Sequence, residues 1–445
     1  MASYAERARG FYLETGTRPP RSLIWAVGMV KYAAARANAK LGLLEPEVGE
    51  AIAGVALELA EGRYDDRIIV DVFQTGSGTG LNMNVNEVIA EEASRRLGRR
   101  VHPNDHVNMS QSSNDVIPTA VRLAAARESL GVQRAVEELV LALERLASAE
   151  ASTVKPGRTH LRDALPVTLG QELEAFAEAL RLDLRVLEAA RGSIVEVPLG
   201  GTAVGTGLNA HPDYPRLAVS ELARATGLPV REARSRMRPM RLLTDLLALS
   251  NAYRMIAVDI TRLAQDLRLM NSGPNTGFGE VEVSTPIPGS SMMPGKTNPV
   301  TLEAAMQAAA HVFGLDHSML QASLLGELEL SMGLPLAGYT LHREALLVSE
   351  AARKIAAKVV PSIEPRRDRM LSLARSSQAL VTVFAPLIGY EAAARLSKEL
   401  SSGTPLEEAA KRLGIPEEVV RTLENLEELT KPGLPALRAR RGEGG

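Results

Sequence analysis

Apolar residues recur along this chain in alternating steps of four and three. The clearest run is Leu242, Leu246, Leu249, Tyr253, Ile256, Ile260, Leu263, Leu267 and Met270. On an α-helix that spacing keeps every side chain on one face, and such a helix is long enough to cross a domain. Val132, Val136, Leu139, Leu143 and Leu146 make a second stripe, and Leu173, Phe176, Leu180, Leu184 and Leu187 a third. Stripes of this kind belong to a core or a subunit seam. Long helices with apolar seams pack as near-parallel bundles, so the expected fold is mainly α.

Polar or glycine-rich patches interrupt the stripes at 74–88, 98–115, 155–166, 197–212 and 284–299, so long helix is expected to alternate with conspicuous loop. After about residue 367 the pattern shortens to a small helical unit. There Thr404 is placed to N-cap a helix, Pro405 suits its first position and Glu407 completes a capping box. Gly414 and Pro416 punctuate the next helix, and the tail RARRGEGG is expected to fray. The chain has no internal repeat.

Composition narrows the chemistry. The chain has 445 residues, 45% of them hydrophobic, enough for a large interior in two or three domains or one long helical core. Lys and Arg number 51 against 53 Asp and Glu, a net charge of −2. That balance gives no global field for nucleic acid or an anionic membrane, and any anion must be met by a local cluster. Cysteine is absent, which excludes disulfides, thiolate catalysis and cysteine-bound metals. The N-terminus lacks an apolar signal segment, and no run of about 18 uncharged apolar residues appears. The expectation is a cytoplasmic protein with no membrane span.

The patches carry the candidate chemistry. QTGSGTGLNMNVNEVI, from Gln74 to Ile89, resembles a phosphate-cradling loop but lacks its lysine. Thr75, Ser77, Thr79 and Asn82 offer hydroxyls and amides to a small carboxylate; a capped turn entering a helix is the alternative. HPNDHVNMSQSSNDVIPTA, from His102 to Ala120, has two His four residues apart. Pro103 lies between them and the glutamate of a zinc helix is missing, so no metal is expected. Ser112, Ser113 and Asn114 precede an apolar helix, where a plain cap explains one of the three. KPGRTHLRDALPVTLGQE places Arg158, Thr159 and His160 in a loop, where a histidine can transfer protons near neutrality. PLGGTAVGTGLNAHP, from Pro198 to Pro212, suits close backbone approach. GSSMMPGKTNP, from Gly289 to Pro299, sets a Ser pair and a Lys among breakers; either a functional loop or a bland connector fits. Neutral hydroxyls and amides, one His and one Lys suit a small dicarboxylate better than metal hydrolysis or phosphoryl transfer.

GSSMMPGKTNP resembles the signature loop of the fumarase/aspartase superfamily. TGSGT with NMNVNEVI, HPNDHVN with SQSSND, GRTHL with TLGQE, and GGTAVGTGLN resemble its class II fumarate hydratase branch. The matches run in family order over roughly residues 10 to 435. The resemblance implies a mostly α fold of three domains, here 1–111, 112–367 and 368–445, whose central helix bundles form the core of a homotetramer. It implies reversible anti addition of water to fumarate, giving L-malate through an aci-carboxylate, with no metal or organic cofactor. It implies active sites shared by three chains: Ser77, Gly78, Thr79, Ser112, Ser113 and Asn114 from one, Thr159 and His160 from a second, and the loop from a third. Ser290 matches the family's base and Lys296 and Asn298 its enolate binders. Ser291 and Thr297 line the site, and Glu303 supports His160. A second dicarboxylate site matches His102, Pro103, Asn104 and Asp105, with Arg99.

Aspartate ammonia-lyase is the near alternative. That branch usually carries Gln at the place of His160 and Ser-Thr-Asn at that of Ser112 to Asn114, so both positions favour the fumarases. A silent structural member is the other alternative, but the loop Ser, the Lys and the His it would be expected to lose are all present.

Overall fold

The computed structural model describes residues 3–436; the RARRGEGG tail lies outside them. The chain folds into two compact units, one of residues 3–136, 182–260 and 307–351, the other of 137–181, 261–306 and 352–436. Five long helices carry it: Ser113–Ala149, Leu169–Ile194, Thr244–Met270, Val300–Leu324 and Leu334–Lys354. Every boundary between the units falls inside one of them, so each lends one end to each unit. Among the described residues no single helix is long and apolar enough to cross a membrane.

The predicted stripes are the buried faces of these helices. From Leu246 to Met270 every stripe residue is buried. Leu242 is the exception at 53% exposed. The chain is extended there, between a short helix Met237–Arg241 and the start of the long one at Thr244, so periodicity overran a break. In the second stripe Val132 to Leu143 are buried and Leu146 half-buried; in the third, Phe176 and Leu184 are half-buried. In the first unit Arg122 is fully buried and forks onto Asp245 with two 2.8 Å bonds, fastening helix 113–149 to the start of 244–270.

The same unit holds a buried polar knot. Ser250 Oγ lies 3.1 Å from Asp316 Oδ1 and 2.7 Å from Glu344 Oε1. One hydroxyl proton cannot serve two carboxylates. Arg254 pairs with Asp316 at 2.6 Å, so the second proton belongs on Glu344, whose carboxyl burial pushes up from 4.5 to about 8. Folded Glu344 therefore keeps a proton that the unfolded chain releases near 4.5. Between those values the folded state binds more protons, and stability falls as pH rises, by up to about 1.4 kcal/mol per pH unit. Glu344→Gln should flatten that slope, read as thermal unfolding between about pH 5 and 8. An unchanged slope would place the proton elsewhere.

The second unit departs more from expectation. Patch 155–166 is not a loop but an antiparallel hairpin, Val154–Thr159 with Arg162–Thr168, turning on two residues, His160 and Leu161. Val281–Val283 pairs antiparallel with Ile363–Pro365. Beyond 367 short helices close over Phe384, Leu396, Ala409 and Val419. Thr404 does not cap: the helix is Leu406–Arg412, Pro405 is its extended cap residue and no side chain caps it. Gly414, at φ 68, and Pro416, the next cap residue, punctuate as expected. In the first unit, patch 74–88 is helical from Thr79 onward.

Candidate active site

In the first unit two helix starts meet through their hydroxyls. Thr79 opens helix Thr79–Leu97 behind Gly78, and Ser113 opens helix Ser113–Ala149. Ser77 Oγ is 3.0 Å from Thr79 Oγ1, which is 2.8 Å from Ser113 Oγ. Two helix N-termini with their free N–H groups favour an anion at this point. Thr75 is engaged elsewhere, 2.8 Å from the Tyr12 hydroxyl, and Asn82 donates to Asn108 at 3.2 Å.

Ser112 fills the cap role, its Oγ accepting the Asn114 N–H at 3.2 Å. Asp115, three residues on, accepts the Ser112 N–H at 2.9 Å. Its other oxygen accepts Gly200 N–H at 2.9 Å and Thr202 N–H at 3.0 Å. Burial pushes this carboxyl up to about 6, and the three N–H bonds oppose the rise. Asp115 thus pulls the glycine patch onto the helix start. Gly200, at φ 89, lets the same patch pack against the start of helix Tyr214–Thr226, since a Cβ there would lie 2.5 Å from Pro215. Asn114 donates one amide hydrogen to Ala203 O at 2.8 Å and keeps the other. Asp115 was not among the residues expected here; its capping-box place three residues after Ser112 was the available signal.

The hairpin of the second unit presents Thr159 and His160 at its tip. Both turn residues are left-handed, His160 at φ 53 and Leu161 at φ 58. Such a turn normally takes Asn-Gly, and each non-glycine residue there costs about 1–2 kcal/mol. Leu161 is 65% exposed, and among the described residues no hydrogen bond or ion pair engages the His160 ring. The first strand of the hairpin is anchored instead. Arg158 pairs with Glu280 at 2.8 Å and stacks 4.2 Å above the Phe278 ring, while buried Lys155 pairs with Glu172 at 2.8 Å.

The loop from 284 to 299 folds on itself. Pro288 bridges Thr297, Gly289 N–H donates to Lys296 O at 2.8 Å, and Asn298 Nδ2 donates to Gly289 O at 2.7 Å. Ser290 Oγ accepts two backbone N–H groups, from Met292 at 3.2 Å and Met293 at 2.9 Å. Donors aimed at one oxygen favour its anion. Ser290, Lys296 and Thr297 line a cleft of about 320 Å³; Ser291 and Lys296 are exposed, and Lys296 has no ion-pair partner among the described residues. Glu303 lies in the first turn of helix Val300–Leu324, and its carboxylate is 3.9 Å from Arg268. A Cβ at Gly289 would lie 2.6 Å from Asn298 N. Gly289→Ala should therefore force the loop open and lower kcat/KM by about tenfold or more, with little change in thermal stability because the loop is exposed. Steady-state kinetics beside a thermal melt checks it.

The second candidate cluster is committed internally. Arg99 pairs with Glu45 at 2.5 Å and Glu47 at 3.5 Å. His102 Nδ1 accepts the N–H groups of Asn104 and Asp105, capping the single turn Pro103–Val107. His106 Nδ1 accepts the His102 N–H at 2.8 Å. Both histidines act as caps, and among the described residues no three His, Asp or Glu side chains are set to hold a metal.

A family described as lyase matches residues 5–314. The chain is 47% identical over 436 residues to fumarate hydratase class II of Saccharolobus solfataricus, covering 97% of this chain and 99% of that one. The crystal structure of recombinant class II fumarase from Schistosoma mansoni superposes with a TM-score of 0.91 at 31% identity, over 98% of this chain and 94% of that one. That of fumarate lyase:delta crystallin from Brucella melitensis, bound to cobalt, gives 0.91 at 38% identity, over 97% and 96%.

Proposed function

The chain belongs to the lyase family of the class II fumarate hydratases, and we propose that it works as one through the residues described above. It is a fumarate hydratase, adding water to fumarate to give L-malate. The observation that carries the residue assignment is the Ser290 hydroxyl, held by two backbone N–H groups in a loop that also carries Lys296 and Asn298.

In the malate direction the Ser290 alkoxide takes the C3 proton. The adjacent carboxylate becomes an aci-carboxylate with extra negative charge, met by the Lys296 ammonium and the Asn298 amide. His160, acting through a water and polarised by Glu303, delivers a proton to the departing hydroxyl, so the two groups leave from opposite faces. Thr79, Ser113, Asn114, Thr159 and Ser291 hold the carboxylates, and Ser77, Gly78, Ser112 and Thr297 shape their surroundings. No metal or organic cofactor enters.

The hairpin tip and the loop both present their groups outward, which favours completion of each site by other chains. The long helices carry exposed apolar residues as well: Leu182 and Val186, Val258, Phe313, Leu320 and Leu346. Uncovered apolar faces of this kind mark association. The assembly we infer is a homotetramer with each site drawn from three chains, in the cytoplasm. We also infer three domains, 1–111, 112–367 and 368–445, and a second dicarboxylate site at Arg99 with His102, Pro103, Asn104 and Asp105, whose ligand would have to displace Glu45 and Glu47 from Arg99.

Fumarate offered in water and in ammonium buffer tests the activity. Purified protein should form L-malate in both, no aspartate, and at a rate that a chelator leaves unchanged. Aspartate as the product, or loss of rate with chelator restored by a divalent ion, would overturn this account.

A further inference from the structure

Lys31 sits mid-way along helix Arg21–Lys40 and is fully buried. An apolar residue would fill that place without the cost of desolvating a charge. Burial lowers the ammonium pKa to about 7, a fall that the buried Asp115 carboxylate opposes. Among the described residues no carboxylate bonds the ammonium directly. Its Nζ donates to two neutral acceptors, Asn108 Oδ1 at 2.9 Å and Gln111 Oε1 at 3.0 Å.

Those acceptors lead to both hydroxyl-bearing helix starts. Asn108 Oδ1 also receives N–H groups from Asn82 and Asn86, each at 3.2 Å. Both asparagines are buried and belong to the helix that Thr79 opens. Asn108 Nδ2 donates to Gln111 O at 3.2 Å, and Gln111 directly precedes Ser112, Ser113 and Asn114. Gln111 Nε2 donates to Val107 O and Met109 O at 3.0 Å each, so the segment that receives the lysine is itself braced. One buried lysine therefore ties the register of Thr79 to that of Ser113. Below about pH 7, where it is protonated, it also puts positive charge, partly offset by Asp115, behind a patch whose hydroxyls and amides are neutral and whose ligand carries two negative charges.

We propose that Lys31 is a positioning residue for the dicarboxylate, acting through Asn108 and Gln111 to hold the Thr79 and Ser112–Asn114 hydroxyls and amides in binding register. The proposal rests on the fumarate reading for its ligand. It uses no atom of Lys31 in contact with substrate.

Two variants test it: Lys31→Met, which removes the charge at similar volume, and Asn108→Asp, which keeps the lysine but gives it a direct counter-charge. Each is assayed for fumarate hydration and for amide hydrogen exchange. Both variants should raise KM by about tenfold or more while changing kcat less, as expected for a lost charge-assisted contact. In Lys31→Met, amides in 79–86 and 108–115 should exchange faster and those elsewhere should not. Asn108→Asp guards against misfolding, because a buried lysine gains a partner in it. A merely structural lysine predicts a lower melting temperature in Lys31→Met and an unchanged KM in folded Asn108→Asp. A KM within twofold of wild type in either folded variant overturns the proposal. If the wild type itself hydrates no fumarate, the functional reading fails, and unchanged exchange in 79–86 and 108–115 still decides against Lys31.

Discussion

Ser290→Ala should lower kcat for fumarate hydration by about two to four decades, the range for losing a positioned acid or base. A serine hydroxyl is a poor base at its ordinary acidity. Two backbone N–H groups converge on Ser290 Oγ, and on the proposed mechanism closure of the loop over substrate would remove the water that otherwise competes. The side chain lies in a loop, outside any helix or strand, so folding should survive. Both N–H groups belong to the backbone, so the substitution leaves the donors in place without their anion. Lys296→Ala should be similarly severe, since Lys296 is the one cation between Gly289 and Pro299. Loop closure and chemistry separate in the kinetics: Gly289→Ala should impair both KM and kcat, whereas Ser290→Ala should spare binding. A Ser290→Ala enzyme within a few-fold of wild type would assign the base elsewhere.

The helices were legible because their signal is local and repeated. Eight stripe residues from Leu246 to Met270 lie on one helix and all are buried. Leu242 shows the limit: the spacing continues through it, but the backbone is extended there and its carbonyl accepts from Arg122, 120 residues away. The hairpin at 154–168 was hidden for a related reason. Two-residue turns announce themselves with Asn or Gly, and this one is His-Leu. The left-handed backbone at His160 is one that sequence preference alone does not predict.

The chemistry was legible where side chains cluster in sequence and hidden where they cluster only in space. Ser77, Thr79 and Ser113 stand in quoted motifs, and the structure joins them by two hydroxyl contacts. Lys31 stands alone in an apolar helix, where a lysine ordinarily reads as solvent-facing. Its acceptors are 77 and 80 residues away. Asp115 likewise reaches residues 85 and 87 positions on. Both hold the site together from beneath, and periodicity carries no trace of either bond.

If His160 and Ser290 of one working site come from different chains, two dead mutants should rescue each other. His160→Asn and Ser290→Ala should each lose about two to four decades in kcat. Co-expressed, the chains assemble at random. A site then works only when its histidine donor is the serine mutant and its serine donor is the histidine mutant. Each condition holds about half the time, so roughly a quarter of sites should be whole in a symmetric tetramer. Verified mixed tetramers should hydrate fumarate at roughly a quarter of the wild-type rate. Activity no higher than that of the better single mutant would mean that one chain supplies both residues, and would contradict it.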